Sequence, residues 1–398
     1  MKELSLYHKI AFAVLCLGAF TNTYFLLPQL TFVRLGVLMI MAGLLFATKA
    51  RLDTSFYAVS TFFFLYITYT LIITLIYGHA ATITNTVNFT FILLLMIATL
   101  WIFCTAPRQS MRFFYIVCGI NLVVSTGLAS AEMLTGWHMP MSNMHLPENM
   151  MIVAEHNQDY PTGFFNNMND FAIVVVLSFC YWLAYHLHFI KERKRWTDFL
   201  FLGLCVACLY MTRCRTALMA LVLFGLFTQR HMLMKYKTLL FITGIFLLIG
   251  MVVTFFLIHN VSTSVRLNLY LYSFASFYDS YGLGFGLDGD KFFYASFDNY
   301  GLFRNIIDAH SYLLDFLLTS GIIFFIGYLF LLFYLMRKIA GRHGRNEFWA
   351  LLPLYVFLLF APSSANFFWI HYLFFASIAG YACLQTAENK QNTEVVCG

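Results

Sequence analysis

The feature that most constrains this chain is a series of twelve apolar stretches, each about long enough to cross a bilayer as a helix. One crossing needs about 20 mostly apolar helical residues. Twelve crossings would take up most of the 398 residues, so little sequence remains for soluble domains. The predicted spans cover residues 9–27, 33–49, 56–77, 86–105, 113–133, 168–190, 197–213, 215–229, 238–258, 311–336, 347–362 and 367–385.

The content of charged residues excludes a soluble domain of this size. Only 11% of the residues are charged, whereas ordinary globular proteins carry about 25%, because their folded surface must meet water. The sequence therefore predicts an all-α polytopic membrane protein. Its net charge of +6 would elsewhere suggest nucleic acid, but the charges are distributed as in a membrane protein, so no nucleic-acid partner is expected.

The distribution of lysine and arginine predicts the topology. With both termini in the cytoplasm, 18 of the 24 basic residues fall on the inner side, which the positive-inside rule favours strongly. Both long connections between predicted spans are therefore expected on the outer side of the membrane. The six basic residues left on the outer side are Arg34, Arg213, Arg215, Arg266, Lys291 and Arg304.

Two long connections on the outer side divide the chain, and connections of this length are usually functional or disordered. None of the nine cysteines lies in either loop, so no disulfide framework is expected. The predicted organisation is spans one to five in 1–133, a first outer loop in 134–167, spans six to nine in 168–258, a large outer loop in 259–310, and spans ten to twelve with a cytoplasmic tail in 311–398.

Polar residues gather at the outer start of the sixth span, in the segment TGFFNNMNDFA at 162–172. It contains Asn166, Asn167, Asn169 and Asp170. One interpretation is a helix start at which Asn or Asp caps free backbone N–H groups. Capping needs only one or two such residues, so the alternative is that the remaining amides bind sugar hydroxyls or position their neighbours.

Two arginines lie in the tight connection between the seventh and eighth spans, in TRCRTALM at 212–219. Arg213 and Arg215 could simply extend toward the membrane interface. Their position on the side that basic residues avoid favours an anion site instead, because a guanidinium is permanently charged and binds phosphate oxygens in a bidentate way.

A third polar place opens the large outer loop, where Arg266 is followed by apolar residues at helical spacing. Leu267, Tyr270, Leu271 and Phe274 carry this pattern. It predicts a short amphipathic helix that lies on the membrane.

The fourth place is DAHSYLLDFLLTSG at 308–321, where His310 stands at the outer mouth of a predicted span. Imidazole is suited to general-base work near neutral pH. Asp308 is a candidate for orienting it. Asp315 lies about one and a half turns inside the span, where a carboxylate needs a partner or a proton.

Two patterns in the large loop resemble nucleotide or metal sites without their usual context. Gly282, Gly284 and Gly286 are interpreted as a turn, because no βαβ pattern surrounds them. Asp288 and Asp290 have the spacing of a divalent-metal site, but two carboxylates alone are a weak ligand set. No metal is expected.

In order along the chain, these segments resemble the O-antigen ligase and polymerase superfamily of membrane enzymes. TGFFNNMNDFA is similar to that family's G-x-F-x-N-x-N-x-F-A segment, and CRTALM is similar to its S-R-x-x-L turn. Arg266 falls where a second arginine opens the large periplasmic loop. His310 and the following serine, then nine residues and Gly321, resemble its H-[NSQ]-x9-G signature, with Asp315 where an acidic residue is common.

The resemblance implies a GT-C-like fold and a metal-independent, inverting glycosyltransferase that needs no cofactor. It also implies a location in the bacterial cytoplasmic membrane, with the active site on the outer face. In the implied reaction, a glycan moves from undecaprenyl diphosphate to an acceptor hydroxyl. His310 would act as general base, and Arg215 with Arg266 would stabilise the departing diphosphate. We predict that these three residues meet in one outer cavity. Arg213, Asn167, Asn169, Asp308 and Asp315 are the candidate substrate-binding residues.

The expected partners are an undecaprenyl-diphosphate-linked oligosaccharide, a glycan or lipid-linked acceptor, and membrane lipid, together with a flippase and a chain-length regulator. The acceptor stays open from sequence. A second lipid-linked repeat would make the protein a polymerase, and a lipid A core or another terminal acceptor would make it a ligase. The segment TGFFNNMNDFA resembles the corresponding segment of capsule, exopolysaccharide and teichuronic-type polymerases more than that of lipopolysaccharide ligases. This resemblance favours the polymerase.

Two further classes remain as alternatives. A flippase or secondary transporter also suits twelve spans, but such proteins carry polar groups near the bilayer midplane and often show internal repeats. Here the ionisable residues collect at the outer rim, with Asp315 the main exception. A structural role is the remaining alternative.

Overall fold

The computed structural model of the protein describes most of the bundle and parts of its connections. The described residues are 4–21, 25–27, 30–45, 52–77, 83–138, 160–165, 168–190, 192, 194–229, 270–271, 273–275, 277–287, 311–340, 347–360 and 369–397.

The described part is almost entirely helical, as predicted. A short antiparallel pair of strands, β1 (Phe25–Leu27) and β2 (Leu30–Thr31), joins the first two helices. The helices are α1 Leu6–Phe20, α2 Phe32–Leu45, α3 Thr54–Tyr77, α4 Ile83–Thr105, α5 Pro107–Thr135, α6 Met168–Phe189, α7 Arg195–Thr212, α8 Arg215–Thr228, α9 Tyr312–Ala340, α10 Glu347–Phe360 and α11 Trp369–Cys397.

Every predicted span except the one at 238–258, which lies outside the described residues, overlaps one of these helices. Six helices of the described part are long and apolar enough to cross a membrane: α3, α4, α5, α6, α7 and α9. The apolar parts of α1, α2, α8, α10 and α11 are shorter. The protein is thus a membrane protein, while the count of twelve crossings stays a prediction.

Contacts between helices define two ends of the bundle. At the end that we call the Lys338 end, Lys338 Nζ donates to Asp53 Oδ1. α11 reaches this end too, since Cys383 Sγ lies 3.9 Å from Asp53 Oδ1. Two residues before Cys383, the Tyr381 ring stacks on Phe348 at the start of α10, with centroids 4.2 Å apart, and Phe348 packs against Phe189 at the end of α6. The opposite end, where α5 and α7 finish and α6 and α8 begin, is called the Arg215 end.

α9 is not the single straight span that the sequence predicts for 311–336. Its backbone leaves helical geometry at Gly321, which has φ 72° and ψ −175°. The Tyr312 and Tyr328 rings lie 6.3 Å apart, whereas 16 residues of continuous α-helix would separate them by about 24 Å. Residues 312–320 therefore fold back along the rest of α9 as a short antiparallel segment.

A glycine-rich segment from the large loop closes this reversal. The backbone N–H groups of Phe285 and Gly286 donate to the carbonyls of Leu318 and Thr319, at 2.7 and 3.0 Å. These carbonyls end the short segment and would otherwise lack helical partners. The interpretation of the Gly282–Gly284–Gly286 pattern as a turn is confirmed, because all three residues have positive φ.

Candidate active site

Arg213 and Arg215 occupy the tight turn at the Arg215 end. Arg213 ends α7 in the left-handed conformation, with φ 50°, and this reverses the chain within two residues. The buried Cys214 follows, and Arg215 is the first residue of α8. Both arginine side chains are exposed, and the Arg213 guanidinium lies 5.6 Å from the centre of the Tyr160 ring. The turn thus presents two permanent cations beside the N-terminus of α8, where backbone N–H groups also favour an anion.

Glu132 is a polar group of this region that the sequence analysis missed. It lies in the last turn of α5 and is only 3% exposed. Its Oε2 atom accepts a hydrogen bond from the Thr162 backbone N–H, at 2.8 Å, and lies 3.0 Å from His138 Nδ1. One buried carboxylate at the end of α5 therefore contacts both the start and the close of the first outer loop. A lone glutamate beside a histidine at a span end was its only signal in the sequence.

The polar start of α6 follows shortly after Thr162, the residue that donates to this carboxylate. Asn169 and Asp170 are half-buried residues of the first turn of α6, not its N-cap. A negative charge there is favourable because the N-terminus of a helix carries a partial positive charge. Gly163, with φ 55°, lets the preceding turn approach the Phe171 ring, which a Cβ would meet at 2.6 Å. Asn167 lies outside the described residues.

The start of α9 is buried. Ser311, the residue after His310, donates from Oγ to the Leu359 carbonyl at the end of α10, at 3.3 Å. Asp315 is fully buried, and its N–H donates to the Ser311 carbonyl at 2.9 Å. Its carboxylate lies near enough to Tyr66 for an electrostatic interaction. Asp315 is thus buried, but it lies in the first turn of the short reversed segment and not one and a half turns inside a straight span, as the sequence predicts.

Arg215 and Ser311 belong to the same end of the bundle. α10 packs against α8. The two helices run in opposite directions, because the Phe227 ring near the end of α8 lies 5.6 Å from the Trp349 ring near the start of α10. At 1.5 Å per residue, Arg215 is about 18 Å from Phe227 along α8, and Leu359 is about 15 Å from Trp349 along α10. Since Ser311 binds Leu359, the backbones of Arg215 and Ser311 stand at similar heights on neighbouring elements.

His310, Arg266 and Asp308 lie outside the described residues, so their convergence with Arg215 stays a prediction. The amphipathic segment after Arg266 is helical at its described residues between 270 and 279, where Leu271 and Phe274 are exposed. Within the described ranges, no group of three or more His, Cys, Asp or Glu side chains is placed to hold a metal ion.

Comparison with known proteins gives one distant relationship. No protein-family model matches the chain. It is 25% identical over 306 residues to the teichuronic acid biosynthesis protein TuaE of Bacillus subtilis (strain 168). The aligned part covers 68% of this chain and 61% of TuaE, so it spans less than two thirds of that relative. The similarity indicates a distant homologue and extends far beyond the short motifs.

Proposed function

We propose that this protein is a membrane glycosyltransferase of cell-surface polysaccharide biosynthesis, and that it acts as a polymerase. The observation that carries the proposal is the position of two exposed arginines, Arg213 and Arg215, at the same end of the bundle as Ser311, the neighbour of His310. The distant relationship to a protein of teichuronic acid biosynthesis supports the polysaccharide class.

In the proposed reaction, the oxygen of an acceptor hydroxyl attacks the anomeric carbon of a glycan held on undecaprenyl diphosphate. The new carbon–oxygen bond forms as the bond to the diphosphate breaks, with inversion at that carbon. The hydroxyl proton passes to His310, and the polyprenyl diphosphate leaves with its negative charge. A general base contributes typically 10²- to 10⁴-fold to such a step.

The arginines have a separate role in this scheme. Arg215, together with Arg266, stabilises the charge that develops on the diphosphate. Arg213 is a second anion ligand in the same turn. Asn167 and Asn169 bind sugar hydroxyls at the start of α6. Asp308 orients His310, and the buried Asp315 is the remaining candidate substrate-binding residue.

We propose that the Arg215 end faces outward from the cytoplasmic membrane, an orientation that the lysine and arginine distribution favours. A lipid-linked donor reaches that face after a flippase has moved it across the bilayer. This orientation fits the proposed reaction, because its product is a polysaccharide of the cell surface.

The test uses the purified, detergent-solubilised protein with lipid-linked oligosaccharide extracted from the host strain that lacks the gene. We expect the wild type to release polyprenyl diphosphate and to lengthen the glycan. His310→Ala should slow the release by about 10²- to 10⁴-fold, and Arg215→Ala by roughly 10²-fold. Arg337→Ala is the matched control, because this exposed arginine lies on α9 near the Lys338 end.

The same variants in the host separate the alternatives. Single repeats left on the final anchor after gene deletion indicate a lost polymerase, whereas full-length chains stranded on polyprenyl lipid indicate a lost ligase. If His310→Ala restored the surface glycan as wild type does, the base assignment would be wrong and a transport function would be favoured. Equal losses in Arg215→Ala and Arg337→Ala would contradict the diphosphate site.

A further inference from the structure

A network of buried tyrosine hydroxyls lies directly behind the start of α9. Tyr312 donates from its hydroxyl to the hydroxyl of Tyr372 on α11, at 3.2 Å. The Tyr328 side chain, on the returning part of α9, lies near Tyr312 and Tyr355 of α10 and interacts electrostatically with both. Tyr355 in turn donates to the His371 carbonyl at 3.1 Å. The network therefore ties together three elements that meet at one point.

These hydroxyls are deeply buried, and the four tyrosines are each no more than 2% exposed. A buried hydroxyl that loses its hydrogen-bond partner destabilises the folded protein. An apolar bundle in lipid has no general need for such groups, since phenylalanine would fill the same volume. A polar network inside a membrane protein therefore indicates a functional role.

The location of the network suggests what it does. Tyr312 is two residues after His310, and Ser311 between them is itself held by the Leu359 carbonyl. His371 also packs here, with its ring centre 5.9 Å from that of Tyr312. The reversal at Gly321 brings Tyr328 to within 6.3 Å of Tyr312, ring centre to ring centre. The first turn of α9 is thus fixed from α10, from α11 and from the return of α9.

We infer that Tyr312 and Tyr372 are positioning residues, which hold the first turn of α9 so that His310 meets the acceptor hydroxyl in a fixed orientation. The inference rests on the proposed function, because it requires His310 to be the general base. Misplacement of a reacting group by 1 Å can cost a factor of about 100 in rate. A loosened turn would therefore lower the turnover number, while donor binding at the arginines would change little.

The test compares Tyr312→Phe and Tyr372→Phe with Tyr381→Phe in the purified protein with extracted lipid-linked donor. Tyr381 is a matched control, because it lies on the same helix as Tyr372, is equally buried, and has its hydroxyl 3.0 Å from His188 Nε2 in the half of α11 near the Lys338 end. We expect kcat to fall about tenfold in the first two variants, with KM for the donor within about twofold. The control should stay within about twofold in both constants.

A second arm asks whether the effect passes through His310. Each tyrosine variant is combined with His310→Ala, and the residual transfer is measured in long incubations. If the network only positions the base, Tyr312→Phe causes no further loss once the base is gone. A tenfold loss in both backgrounds, or an equal loss in Tyr381→Phe, would show a purely structural role and would overturn the inference.

The two proposals fail in different ways. A His310→Ala variant with full activity overturns the base assignment, and the positioning role falls with it. A His310→Ala variant without activity, beside a Tyr312→Phe variant with wild-type kcat, overturns the positioning role alone. Thermal unfolding of each single variant shows whether a loss of kcat occurs in folded protein.

Discussion

Gly284 and Gly321 pack backbone against backbone, although 37 positions separate them in the chain. A Cβ on Gly284 would lie 2.6 Å from the amide nitrogen of Gly321, closer than real contacts allow. Both residues also have positive φ, 83° and 72°, which side chains rarely tolerate. The reversal of α9 therefore depends on a glycine on each side of the contact.

We expect Gly284→Ala to lower the free energy of unfolding by about 2–4 kcal/mol, because it combines a steric clash with backbone strain. Thermal unfolding of the detergent-solubilised protein measures the loss. Gly127→Ala is the control, since a Cβ at this position of α5 would meet nothing within 4 Å and alanine favours a helix. A stability of Gly284→Ala equal to that of Gly127→Ala would contradict the described packing.

The ion pair between Asp53 and Lys338 predicts a pH dependence of stability. Burial by itself raises the pKa of Asp53, but the hydrogen bond from Lys338 and those from Ser55 outweigh it, so the pKa lies below its ordinary value of 3.8. A lowered pKa in the folded state stabilises the protein above the unfolded pKa, and this contribution is lost as pH falls through the folded value. Melting temperatures between pH 7 and pH 3 should show the loss.

Lys338→Met tests the same pair at neutral pH. The two side chains are 18% and 15% exposed, so removal of the lysine leaves a largely buried carboxylate without its cation. We expect a loss of about 2 kcal/mol in unfolding free energy. Asp53→Asn should reduce the acid-dependent part of the melting curve. An unchanged pH dependence in Asp53→Asn would assign that dependence to other groups.

Glu132→Ala should destabilise the connection between α5 and α6. The Thr162 N–H is buried and would lose its acceptor, at a cost of about 1–3 kcal/mol. Glu132→Gln retains an oxygen that can accept this hydrogen bond, so its loss should be smaller. Thr135→Ala, which removes an exposed hydroxyl from the same helix end, is the control and should change stability by less than about 0.5 kcal/mol. Similar melting temperatures for Glu132→Ala and Thr135→Ala would count against the contact.

Cys104 of α4 and Cys383 of α11 have their Sγ atoms 2.7 Å apart. We expect membrane-permeant diamide to oxidise this pair to a disulfide, with loss of two protons and two electrons that reduce the diamide to its hydrazine. Mass spectrometry of peptides should show the cross-link, and Cys104→Ser should abolish it. Two thiols that stay free under this treatment would contradict the contact between α4 and α11.

The sequence alone determined the helical class and the approximate bounds of the described helices. Lipid requires runs of apolar residues with all backbone groups bonded within the helix, and such runs can be read directly from the chain. The exposed arginines between α7 and α8 were also predictable, because charges in so short a connection have few places to go.

The tertiary structure decided features that depend on distant partners. A glycine within an apolar run is compatible with a straight helix, so Gly321 gave no sign that α9 reverses there. The reversal occurs because backbone groups of 282–286 satisfy the carbonyls of Leu318 and Thr319. Glu132 likewise acquired its role through Thr162, 30 positions away. Local pattern fixes which residues avoid water, whereas the pairing of buried polar groups is settled only by which helices meet.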